Sequence, residues 1–211
     1  MSIATFTDEL KALSAICEPD TRQAYLSTSL AGSHAELAAI QLRPTVPVEI
    51  RRLFETAKNV SLYSWFVYPF HQVAEMTSFS ALEYALRIRA KVPKDMKRPP
   101  GLSELLQQAK TKGWFSKDWA IRRSMGVERA RERRSKEAMD LMHRTGAAEV
   151  EVADPTEEEI AQATASVDVV QILVDRTPRL RNNLAHGSTR LDSSSTWTLR
   201  FVGEAINQLF P

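Results

Sequence analysis

Strand-like alternation is almost absent from these 211 residues, whereas apolar side chains recur at helical spacing nearly everywhere. A chain patterned this way can bury its apolar stripes only by packing helix against helix. The seven glycines are sparse and better placed to end helices than to build the frequent turns of a β protein. The expected fold class is therefore all-α, an antiparallel helical bundle with short connections.

Prolines and caps divide the pattern. A first helix is expected from Thr7 to Ile16, stopped by "CEPD", and a second within "RQAYLSTSLAGSHAELAAIQL", weakened by Gly32 and Ser33. Pro44 and Pro47 mark a break, with Pro47 suited to the first turn of the helix that follows. That helix carries Ile50, Phe54, Ala57, Leu62 and Trp65 until Pro69 interrupts it. The next, "HQVAEMTSFSALEYALRIRAK", aligns Val73, Met76, Phe79, Leu82 and Leu86 and ends before Pro93. After the proline-rich "KVPKDMKRPP" comes "GLSELLQQAKTKGWF", with Ser103 as N-cap and Gly113 as stop. Asp154, Pro155 and three glutamates open a helix expected to run to Thr177, and "TWTLRFVGEAINQLF" forms the last. Residues 1–46 read as an N-terminal helical extension and 47–211 as the bundle.

Composition excludes more than it identifies. The only cysteine, Cys17, allows neither an internal disulfide nor a multi-cysteine zinc site. His34, His71 and His143 are scattered without metal-ligand spacing, so each reads as a surface or packed residue and no metal or other cofactor is expected. Asp8, Glu9 and Lys11 interrupt any secretory leader, and "SLYSWFVYPF" is too short to span a bilayer, so the expectation is a cytoplasmic protein without membrane association. No P-loop, serine elbow or CxxC pair occurs. The net charge of +2 does not by itself argue for nucleic acid. Its distribution is more informative, because Arg122 to Arg144 holds eight Lys or Arg against four acidic residues. That stretch reads as a solvated helix whose Glu128, Glu132 and Glu137 pair with nearby arginines. A phosphate-binding surface is the alternative, and "ALRIRAK" with Lys94, Lys97 and Arg98 makes a second basic zone.

The densest polar cluster is "RLRNNLAHGSTRL", residues 179–191. Thr177 and Pro178 are expected to restart the helix and Gly187 to close it. Leu180 and Leu184, four apart, should face the core. At about 100° per residue, His186 shares a side with Arg179, Asn182 and Asn183, while Arg181 lies about 140° away. A histidine at a helix C-terminus has its imidazolium form favoured by the helix dipole, which suits a general acid or a phosphate partner. The same position also suits a histidine that only caps carbonyls.

"RNNLAH" resembles the R-polar-x-x-x-H signature of the HEPN superfamily (higher eukaryotes and prokaryotes nucleotide-binding domains), with Arg181, Asn182 and His186 in its three defining places. "FSALEYALR" and "GLSELLQQAKTKGWF" also look like helices of bacterial members, so the resemblance spans Val48 to Phe210. It implies a HEPN-like bundle and a metal-independent endoribonuclease whose site is composed across a homodimer. His186 would move the proton, Arg181 would stabilise the scissile phosphate, Asn182 would orient one of them, and Arg179 and Asn183 would bind substrate. A second chain would let Arg181 meet the facing His186 despite the angle between them. The implied settings are toxin–antitoxin, phage defence or RNA processing, with a protein antitoxin or regulator as a further partner. Ser188 stands where members silenced by nucleotide addition carry tyrosine, which argues against that regulation. Two other readings stay open: a non-catalytic dimerisation or docking module, and a regulatory domain binding a nucleotide phosphate.

Overall fold

The computed structural model describes residues 8–25, 28–185 and 195–211, and among them every regular element is a helix. Eight α-helices follow in order: α1 (Leu30–Ala38), α2 (Val48–Tyr63), α3 (Phe70–Arg89), α4 (Leu102–Thr111), α5 (Ile121–Thr145), α6 (Glu157–Ala165), α7 (Val169–Ala185) and α8 (Ser195–Leu209). The all-α expectation holds.

The centre is made by α2, α3 and α8, which share the most extensive packing. Ile50 and Phe54 of α2, Leu82 and Leu86 of α3, and Leu199 and Ile206 of α8 are completely inaccessible. At about 25 cal/mol per Å² of apolar surface, each such side chain contributes about 1.5–3 kcal/mol on burial. The helices α4 and α7 cover α3 with Leu105, Leu106 and Leu173. Leu37, Ile40 and Val46, from α1 and the loop after it, belong to the same core.

The ends of several helices differ from the sequence expectation, each for an identifiable reason. In place of a helix to Ile16 there is a single 3-10 turn, Leu13–Ala15. Leu10 is 100% and Leu13 86% exposed, so this segment has no buried face to pay for helix nucleation. Gly101, not Ser103, caps α4, with the Glu104 carboxylate accepting from the Gly101 N–H at 2.9 Å. Thr156, not Asp154, caps α6, through a reciprocal box with Glu159. The expected long helix to Thr177 breaks at Ser166–Asp168, where Val167 is buried and Asp168 Oδ1 accepts from the Gln171 N–H at 2.9 Å. Conversely, Thr177 and Pro178 restart nothing. Thr177 is buried and α7 continues through Pro178, so packing outweighs the missing N–H. Gly113 does act as a stop, at φ +63°.

The hairpin of α5 and α6 is joined chiefly through its own two helices. They approach closely at Gly126, where a Cβ would lie 2.8 Å from the Thr164 Cα. Arg122 donates to the carbonyls of Thr164 and Ala165, and Arg129 to that of Ser166, so two arginines satisfy the C-terminal carbonyls of α6. At the other end Arg134 grips Glu159 at 2.8 Å and holds its carboxyl down at about 2. Arg123, Arg133 and Arg134 are thus ion-paired across the hairpin, with Glu157 and Glu159. Of the glutamates expected to pair along the helix, Glu128 does so, with Arg131 at 3.2 Å.

Candidate functional site

The final two turns of α7 carry four of the five residues singled out in the sequence; His186 lies outside the described residues, as do Gly187 and Ser188. Because α7 continues unbroken from Val169 to Ala185, the cluster sits at the end of a long anchored helix and not on a short independent one. Leu173 and Thr177 point into the bundle and Leu184 packs against its edge. Leu180, expected in the core, is 47% exposed. The inward face therefore passes through 173, 177, 181 and 184, which turns Arg181 toward α3 and leaves Arg179, Asn182 and Asn183 exposed.

Arg181 leans over a shallow cleft formed with α3 and lined by Ser80, Glu83, Tyr84 and Arg87. Its guanidinium lies 3.9 Å from Glu83 Oε2, while Arg87 holds Glu83 Oε1 at 2.6 Å. One carboxylate thus faces two guanidinium groups, and the cleft keeps a net positive charge. The Arg87 Nε is buried without a hydrogen-bond partner. The Glu83–Arg87 spacing of four was legible as a helix pair, but nothing in the sequence tied it to Arg181. The geometry suits binding of an anionic group by planar donors, with exposed amides beside it.

A second polar group lies at the corner between α2 and α3. His71 is 8% exposed, and its ring nitrogens contact Ser64 Oγ and Ser195 Oγ. The Ser64 hydroxyl donates its one proton to the Ser61 carbonyl at 2.6 Å, so the His71 Nε2–H must be the donor to Ser64. In the neutral imidazole Nδ1 then accepts from Ser195, whose oxygen lies 2.8 Å from Ser61 Oγ. This network fastens the first residue of α8 to α2 and α3, nine positions after His186 in the sequence. The packed reading of His71 was right, but its two serine partners, 7 and 124 residues away, were not legible.

Next to this corner the N-terminal segment docks. Asp20 accepts from the Tyr68 N–H at 3.2 Å and pairs with Arg22 at 2.8 Å, which holds the Asp20 carboxyl down at about 2. The Arg22 guanidinium also lies 4.6 Å from the centre of the Tyr68 ring. No group of three His, Cys, Asp or Glu among the described residues converges as a metal site, and none of their helices is long and apolar enough to cross a membrane.

Comparison with models of protein families, with curated proteins and with solved structures gives no match. Fold and cleft together define an all-helical protein with an anion-suited site where α7 meets α3.

Proposed function

We propose that this chain is a HEPN-like RNA-binding protein that cleaves RNA without a metal, at a site completed by a second copy of itself. The observation that carries the reading is the cleft between α3 and α7. There Arg87 of α3 and Arg181, on the helix whose end carries "RNNLA", share a single carboxylate. A phosphodiester entering this cleft would meet Arg181, with the exposed Arg179 and Asn183 available to the neighbouring nucleotides. Asn182 would orient the phosphate or the histidine.

His186 is the acid–base group in this reading. It takes the proton from the RNA 2′-hydroxyl as that oxygen attacks the adjacent phosphorus, and a proton is returned to the departing 5′-oxygen. Atoms balance with a 2′,3′-cyclic phosphate and a 5′-hydroxyl as products. Charge developing on the non-bridging oxygens is met by guanidinium donors, an arrangement that elsewhere is worth about 2.7–4 kcal/mol per donor. Toxin, phage-defence and RNA-processing roles, with a protein antitoxin or regulator, all fit this chemistry.

Purified protein is incubated with a mixed RNA pool in excess EDTA, beside folded His186→Ala and Arg181→Ala variants. The expected result is cleavage by the parent alone, leaving cyclic or 3′-phosphate ends. No cleavage by a folded parent at any salt or pH would overturn the catalytic reading.

A further inference from the structure

A second concave surface, lined by no residue of α7, is an open groove of about 1050 Å³. Its floor is the outer face of α8, and that helix fixes both rims. Asn207 bridges the loop after α1, donating to the Gln41 carbonyl at 3.0 Å and accepting from the Arg43 N–H at 2.8 Å. Gln208 accepts from the Ser116 N–H at 2.8 Å on the opposite rim. Glu204 accepts from the N–H groups of Ala120 and Ile121, capping α5. Gly203 lets the floor sit low, since a Cβ there would come within 3.1 Å of Phe54. The groove is therefore held open by specific bonds between elements distant in the sequence.

Arg43, Arg89, Lys112 and Arg200 come from four different parts of the chain and line this one groove. All four are exposed, and among the described residues none of them forms an ion pair. Two carboxylates line it as well, Asp118 and Glu204, and Glu204 is committed to the amides that open α5. Arg89 and Lys112 lie 5.7 and 5.4 Å from the centre of the half-buried Trp114 ring. The contrast with α5 is direct, because there Arg122, Arg123 and Arg134 are engaged by carbonyls and carboxylates of α6.

We propose that this groove binds single-stranded RNA. Cations spread over four elements suit a run of phosphates better than a lone anion, and the indole of Trp114 among them suits unpaired bases. The choice of RNA among polyanions rests on the cleavage reading above; the site itself does not.

The test is fluorescence anisotropy with labelled oligouridine, in the His186→Ala background so that cleavage does not enter the signal. Arg89→Ala/Arg200→Ala is expected to weaken binding by about tenfold or more and to lower the salt slope by about 1.4, two phosphate contacts' worth. Arg43→Ala/Lys112→Ala should do the same, and circular dichroism should show both pairs folded. Arg133→Ala/Lys136→Ala, which removes equal charge from α5, should change binding less than twofold. Equal losses in all three pairs, no loss in the groove pairs, or groove-dependent binding of polyglutamate without RNA binding would overturn the proposal. Groove-dependent binding by a parent that never cuts RNA would retire the cleavage reading alone. Cleavage with binding indifferent to the groove would retire the groove alone.

Discussion

Between α2, α3 and α8 the contacts include Phe54, Phe79, Leu82 and Leu86, each at 2% exposure or less. Between α5 and α6 the buried apolar side chains are few, with Ala130 and Ile160 flanking the close approach at Gly126. Arginine bonds to carbonyls and carboxylates supply the rest. Both regions are helical, yet the first rests on a non-directional force proportional to buried area and the second on directed bonds open to solvent and salt. The candidate cleft and the groove are built on α3, α7 and α8 rather than on the hairpin, despite the hairpin's higher density of arginine. Charge density in the sequence and unpaired charge in the fold therefore point to different helices.

Substitutions should separate the two regions by size of effect. Phe54→Ala is expected to cost about 3–5 kcal/mol, because a large ring is lost from a closed core. Its urea midpoint should fall in a single global transition. Gly126→Val should cost about 1–3 kcal/mol by forcing α5 away from the Thr164 backbone. Hydrogen exchange should then speed up in α5 and α6 while α2, α3 and α8 keep their protection. Global destabilisation would show that the hairpin belongs to the bundle energetically.

Thr156→Ala removes the cap of α6 and is expected to cost about 1 kcal/mol, confined to the hairpin by the same exchange measurement. Acid should act in the same place. Glu159 is held at about 2 against an ordinary 4.5, so its contribution is present above pH 4.5 and fades as the pH falls toward 2. Asp20 has the same sign, from 3.8 to about 2. Exchange followed through that window should show α6 and the residues 18–25 loosening before α3, and an Asp20→Asn variant should already show the second loosening at neutral pH.

Much of the bundle was legible because periodicity reports burial: Ile50, Phe54, Ala57, Phe79, Leu82 and Leu86 are where their spacing put them. Caps are less legible. The Asp168–Gln171 pair that opens α7 lies inside an apolar run that hides it, and Thr177–Pro178 imitates a helix start that packing overrides. At the cleft, the wheel placed Arg179, Asn182 and Asn183 outward, but Leu180 and Arg181 exchanged roles because α7 is rotated by its whole length and not by its last turns. The partners Glu83 and Arg87, like the four cations of the groove, are joined only by tertiary packing and leave no pattern along the chain.

Mixing inactive variants tests most directly whether Arg181 and His186 act together across two chains. Arg181→Ala and His186→Ala proteins are each expected to leave RNA intact in EDTA. After exchange of subunits, a mixed dimer would regain one intact site, so cleavage should return to a fraction of the parent level. Dimers that exchange subunits without any return of cleavage would contradict a site shared between copies.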